Sequence, residues 1–211
     1  MFHIFAYMKH HTRSKMVFDD MEPVFNESSF TVCDWSEFYL DAAEAIPHDA
    51  PMKRGNSVVT SCFVDADHAG CKVTRRLHMG VILFVNKAPI LWYLKQQNAV
   101  ETSTFGSEFC AMKTAIDMIE GLCYKLRMLG ILMAGATSVF CDNESVVKNS
   151  TAPESTLKKH HDAIAYHHAR EAQAAGIISV AWESGDTQIS DLLTKLMPGP
   201  RLRELVGYVL W

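Results

Sequence analysis

The sequence predicts an α/β fold: a five-stranded mixed sheet with helices on both faces. Three observations carry this. Between residues 57 and 96, three runs rich in β-branched and aromatic residues follow one another closely, as in an antiparallel meander. At residue 105 the hydrophobic period changes from strand-like to helical. After residue 130, two further short apolar runs are separated by helical patterns, as in parallel strands joined by crossovers.

The elements follow in order. Residues 1–56 carry Pro23, Pro47, Pro51 and two acidic pieces with little periodicity. They read as a connecting segment with one short helix over 36–45, ahead of a domain over 57–211. VVTSCFVDA, LHMGVILFVNK and APILWYLKQ read as the first three strands, with turn residues in NKAP. Phe105, Phe109, Met112, Ile116, Ile119, Cys123 and Leu126 then alternate steps of four and three, which is one apolar stripe on a long helix. Ser103 or Thr104 can cap its start and Gly130 can close it. TSVFCD is a buried strand. NESVVKN is a short helix with Asn143 as cap. STLKKHHDAIAYHHAREAQAAG is a second long helix, with Ser155 or Thr156 as cap and Gly176 as stop. IISVAWES is the fifth strand, and SDLLTKLM opens a last helix, broken by PGP at 198–200.

Composition narrows the class. Hydrophobic residues are 48% and charged residues 21%, the balance of a globular chain. Lys and Arg number 20 against 24 Asp and Glu, a net charge of −4, which argues against a strong non-specific nucleic-acid binder. No run approaches the roughly 18 apolar residues that span a bilayer, so no membrane partner is expected. In MFHIFAYMKHHTRSK the apolar stretch precedes the basic residues, the reverse of a secretory signal. The six cysteines, at 33, 62, 71, 110, 123 and 141, form no CxxC pair. They read as reduced thiols of an intracellular protein rather than zinc ligands.

Four acids occupy related places. Asp65 ends the first strand, Asp142 ends the fourth, Glu108 lies near the start of the long helix, and Asp191 lies in the first turns of the last helix. If the first and fourth strands run side by side, these carboxylates converge. Such a cluster repels itself unless cations share the charge. Oxygen-only ligands suit Mg2+ or Mn2+. Two such ions about 3.5–4 Å apart serve in-line phosphoryl displacement, one preparing the water and one stabilising the leaving oxygen.

VDADHAG, the run from TRRLHMG to GSEFCAMK, CDNESVV, the HHDAIAYHHARE helix and SDLLTK together resemble the ribonuclease H domain of copia-type (Pseudoviridae) retrotransposon Pol polyproteins. The resemblance covers roughly residues 58–197. FHIFAYMKHHTRSKMVFDDMEP is similar to the chain that follows the reverse transcriptase in such polyproteins. The resemblance implies a ribonuclease H-like fold. It implies that Asp65, Glu108, Asp142 and Asp191 are the catalytic acids and bind two Mg2+ or Mn2+ ions. The implied activity is endonucleolytic cleavage of the RNA strand of an RNA–DNA hybrid, with selectivity from the 2′-hydroxyl. Implied partners are the hybrid and the reverse-transcriptase part of the same polyprotein, in the cytoplasm or in virus-like particles. Thr104, Asn143 and Lys195 neighbour the acids and can hydrogen-bond phosphate or sugar oxygens. Cys71 departs from the Asp common after the glycine, and ESGDTQ at 183–188 lacks a histidine.

Plainer readings stand beside these. Asp67 reads as a turn cap before a fifth ligand. His160, His161, His167 and His168 repeat at i, i+7, where helical zinc pairs use i, i+4, so they read as surface and core-edge residues. Lys158, Lys159 and Arg170 are placed near a phosphate backbone. Trp92, Tyr93 and Trp182 read as core, with base stacking as the other use. An inactive ribonuclease H-like tether from a decayed element is the second functional class, because fold does not secure activity.

Overall fold

A computed structural model gives the architecture; residues 9, 12–16, 18–67, 78–96, 104–157 and 163–210 are described. The strands are β1 (Arg54–Val58), β2 (Thr60–Asp67), β3 (His78–Val85), β4 (Ala88–Gln96), β5 (Ile131–Met133), β6 (Thr137–Cys141) and β7 (Ile178–Trp182). The helices are α1 (Thr104–Met128), α2 (Glu144–Thr151), α3 (Ala163–Ala174), α4 (Asp191–Thr194) and α5 (Gly199–Val206). Five strands form the main sheet in the order β4-β3-β2-β6-β7. The meander β2-β3-β4 is antiparallel, while β6 runs parallel to β2 and β7 parallel to β6. This is the mixed sheet that the texture of the sequence predicts.

Side chains alternate across the sheet and so divide it into two faces. Cys62, Val64, Val81, Leu83, Val139 and Val180 point to one face, where they meet Phe109, Met112, Ile116 and Ile119 of α1. Each of these four α1 side chains is fully buried, worth about 1.5–3 kcal/mol apiece before entropy is counted. α1 ends at Gly130, whose φ of +76° is the left-handed conformation that a helix stop favours. On the other face, Phe63, Ile82 and Phe84 pack under Ile189, Leu192, Leu193 and Val209. The N-terminal segment lies on this second face, where the rings of Phe25 and Phe30 stand 5.0 and 5.8 Å from that of Phe140.

Several details differ from the sequence reading. Residues 36–45 form turns, not a helix, and the described N-terminal helix is a 3-10 turn at Glu27–Ser29. The first strand run is split at Val59, because Arg54–Val58 pairs in parallel with Ile131–Met133 as a separate two-stranded sheet. A polar RGNS and a three-residue ILM carry too little pattern to announce that sheet. The HHDAIAYHHARE helix is described only from Ala163, and Ser155–Leu157 precede it without helical structure. The last helix breaks at Lys195, so that Gly199 and Pro200 open α5 instead of ending α4. Trp92 and Trp182 are 54% and 45% exposed, not core, because β4 and β7 are the edges of the sheet; Tyr93 does pack against the core. Cys71, Ser103, Lys158, Lys159, His160 and His161 lie outside the described residues. Cys62, Cys123 and Cys141 are buried free thiols, and Cys33 and Cys110 are half-buried.

Candidate metal centre

The parallel pairing of β2 and β6 decides where the acids go. Phe63 and Val64 register with Phe140 and Cys141, so Asp65 and Asp142 follow side by side at the same end. Asp65 faces the second side of the sheet, where α4 lies across it. There Asp65, Asp142 and Asp191 bring one carboxylate oxygen each within 4.8 Å of one another. Glu108, one turn into α1, approaches from the first side and lies within the same distance of Asp142 and the Cys141 thiol. Asp142 therefore belongs to both groups. Asp67, at the end of β2, joins neither.

The acids are held by partners that the motif does not name. Thr194, three residues after Asp191 and on the same side of that turn, donates its hydroxyl to Asp65 Oδ2. The Trp182 indole donates to the Asp142 carbonyl at 3.0 Å. Gln188 is fully buried and donates to the Val64 carbonyl at 3.1 Å and the Phe140 carbonyl at 3.4 Å, closing the seam between β2 and β6. Thr194 was legible in principle from its i, i+3 spacing to Asp191. Gln188 and Trp182 act through the tertiary fold and leave no local signal.

Lys195 has the contacts of a counter-ion. Its Nζ lies 2.7 Å from Asp191 Oδ1 and 3.3 Å from both Asp65 Oδ1 and Asp142 Oδ2. The contact to Asp191 Oδ1 is close enough for strong charge attraction. Asn143 spends its side-chain oxygen on the Ser145 and Val146 N–H groups and so caps α2. Thr104 is exposed at the first position of α1, one turn before Glu108.

Among the described residues, one ammonium contacts the cluster, and it does not balance four carboxyls. Burial pushes the Glu108 carboxyl from the ordinary 4.5 up to about 9, helped by the charges of Asp65 and Asp142 and opposed by the Ala66 N–H. Burial also raises Asp65 and Asp191, against the pull of Thr194 and Lys195 on Asp65 and of Lys195 on Asp191. Burial lowers Lys195, but the Asp191 carboxylate beside it and the charges of Asp65 and Asp142 together raise it more. Glu108 Oε2 is buried with no hydrogen-bond partner among the described residues. An all-carboxylate set with an orphaned oxygen and raised carboxyls is short of positive charge, and it fits hard divalent cations.

No family model matches the chain. Among curated proteins it is similar to the "Retrovirus-related Pol polyprotein from transposon RE1" of Arabidopsis thaliana, 29% identical over 148 residues, 70% of this chain and 10% of that protein. The corresponding polyprotein from transposon TNT 1-94 of Nicotiana tabacum is 29% identical over 157 residues, 72% of this chain and 12% of that one. The chain is a homologue of copia-type transposon Pol polyproteins. It spans about a tenth of the length of these relatives. Among solved structures, LC11-RNase H1 in complex with RNA/DNA hybrid superposes with a TM-score of 0.50 at 13% identity, over 64% of this chain and 93% of that one. RNase H1 of the archaeon Halobacterium salinarum gives 0.50 at 14% identity, over the same shares. The fold of this transposon-Pol homologue is that of ribonuclease H.

Proposed function

We propose that the chain carries the ribonuclease H domain of a retrotransposon Pol polyprotein, a metal-dependent endonuclease that cuts the RNA strand of RNA–DNA hybrids. The observation that carries this reading is the meeting of Asp65, Asp142 and Asp191 within 4.8 Å, with Glu108 joined to them through Asp142. Residues 57–211 form the domain in this reading, and residues 1–56 are the segment after a reverse transcriptase. The exposure of Val24 and Val32 in that segment, 96% and 97%, supports a contact with the reverse-transcriptase part of the same polyprotein. The free thiols support an intracellular setting, cytoplasmic or within virus-like particles.

Asp65, Glu108, Asp142 and Asp191 would hold two Mg2+ or Mn2+ ions. Paired divalent cations supply, when bound, Lewis-acid stabilisation of in-line phosphoryl displacement. The chain's own residues set the frame. Thr194 fixes the rotamer of Asp65, Gln188 locks the strand ends, and Trp182 anchors the backbone at Asp142. The Lys195 ammonium, which contacts the three aspartates, would be placed to meet a phosphate at the same edge. Thr104 and the side-chain NH2 of Asn143 would line the approach of the hybrid.

The test is a cleavage assay on an RNA–DNA hybrid with Mg2+ or Mn2+. The RNA strand should be cut and the DNA spared, chelation should stop the reaction, and Asp142→Asn should abolish it. Failure to cut at high protein with Mn2+ would leave the inactive tether as the better reading.

A further inference from the structure

Helix α4 carries Asp191, the Thr194 hydroxyl that holds Asp65, and the start of the turn that delivers Lys195. Its depth over the sheet therefore sets the spacing of the cluster. The residue beneath it is Gly80, in the middle of β3 and directly opposite Asp65 in the β2–β3 register. A Cβ at Gly80 would stand 2.9 Å from Thr194 Cγ2, 3.0 Å from Leu193 Cβ and 3.2 Å from the Ser190 carbonyl oxygen. The last two atoms move only with the backbone, so the helix itself would have to lift.

The backbone of Gly80 does not need glycine for its conformation. It is not among the glycines of positive φ, which are Gly55, Gly130 and Gly176. A glycine inside a strand weakens it unless another part of the chain comes close, and here that part is α4. We propose that Gly80 is a positioning residue for the carboxylate cluster: its missing side chain lets α4 settle onto β3 so that Asp191 and Thr194 reach Asp65. The functional consequence rests on the ribonuclease H reading; the seating of α4 does not.

The experiment separates the two. Hydrogen exchange is measured on the metal-free chain, at the Leu193 and Lys195 amides that bond to the Ser190 and Asp191 carbonyls. In Gly80→Ala these amides should exchange about tenfold faster or more, while those of β2 and β6 keep their protection. On the hybrid, Gly80→Ala should lower kcat about 10²-fold with little change in KM, as expected for an ångström-scale misplacement of a reacting group. Thr194→Ser removes the methyl that makes the shortest contact and keeps the hydroxyl for Asp65. Added to Gly80→Ala, it should restore part of both the exchange protection and kcat. Unchanged exchange at Leu193 and Lys195 in Gly80→Ala would overturn the proposal, whatever the enzyme does. So would loss of cooperative unfolding without rescue by Thr194→Ser, because the glycine would then serve the sheet and not the helix. A wild-type chain that binds no Mn2+ and cuts nothing, yet shows the exchange effect, would overturn the functional reading and leave the seat intact.

Discussion

Arg170 and the carboxylate cluster are both buried charge, and the chain treats them in opposite ways. Arg170 is 3% exposed. Its guanidinium donates to the carbonyls of Asn149, Ala152 and Pro153 and to the Ser155 hydroxyl, and it lies 5.0, 5.8 and 4.9 Å from the ring centroids of Trp35, Tyr39 and Tyr166. It is largely closed: both terminal nitrogens are spent on the chain itself and three rings cover it, while its Nε has no hydrogen-bond partner among the described residues. The carboxylate cluster is open. Among the described residues it has one ammonium in contact with three of its four acids, an orphaned oxygen on Glu108 and carboxyls raised by burial. A closed charge organises structure, tying the loop before α3 to the N-terminal segment. An under-compensated one is arranged for a ligand. The sequence places Arg170 beside a phosphate backbone; its burial and the partnering of both terminal nitrogens correct that.

The comparison breaks most readily at Asp142, the acid common to both groups. Asp142→Asn should lower cleavage by at least about 10³-fold, or about 4 kcal/mol of transition-state stabilisation. Its metal-free thermal midpoint should be no lower than that of the wild type, since the change removes a charge that raises Asp65, Glu108 and Asp191. A large loss of metal-free stability would mean that the cluster is structural like Arg170. The converse variant is Arg170→Met. It strands the Ala152 and Pro153 carbonyls and uncovers Trp35, and should cost about 3–5 kcal/mol in urea unfolding. Cleavage per folded molecule should stay unchanged. A cost below about 1 kcal/mol would remove the contrast.

The two clusters were unequally legible in the sequence. Strand ends and helix starts are local features, so Asp65, Glu108, Asp142 and Asp191 could be placed from periodicity and caps alone. Asn143 as a cap and Gly130 as a stop were legible for the same reason, and the structure has both. The five-stranded mixed sheet and its antiparallel start followed from the meander and the crossovers. What stayed hidden depends on contacts between distant segments. Arg170 meets Trp35 across 135 positions, Thr194 meets Asp65 across 129, and Gly80 matters only because α4 lies on it. The short β1–β5 sheet and the exposed edge tryptophans were misread because burial at an edge is set by the neighbour a strand lacks, which composition does not record.

A smaller effect is expected at Lys195, whose ammonium contacts three of the four acids. Lys195→Met removes the ion contacts to three aspartates but also removes the competitor for a divalent ion. More than a third of the Lys195 side chain is exposed, so screening keeps the loss of metal-free stability to about 1 kcal/mol. Mn2+ affinity by titration calorimetry should rise, by about tenfold if the displaced contacts are worth some 1.4 kcal/mol. An unchanged or weaker affinity would show that Lys195 helps to hold the ions rather than standing in their place.

The gentlest test changes no residue. Glu108 has a folded pKa of about 9 against an ordinary 4.5, so between these values the folded chain holds a proton that the unfolded chain has released. The stability that Glu108 contributes is full below pH 4.5 and is lost as the pH climbs towards 9, giving the metal-free chain a negative slope of stability against pH. Asp65 and Asp191, also raised, add the same sign starting from the ordinary aspartate range near 3.8. Lys195 is raised above its ordinary 10.5, so its contribution is intact throughout and does not shape the window. Urea unfolding at steps between pH 5 and 9, in chelator, should therefore show declining stability, and Glu108→Gln should flatten the decline. With saturating Mn2+ the slope should turn positive, because metal binding requires the deprotonated carboxylates and favours the folded chain more as they ionise. A metal-free slope that is already flat would mean that Glu108 is ionised without a cation, and the cluster would then be as self-sufficient as Arg170.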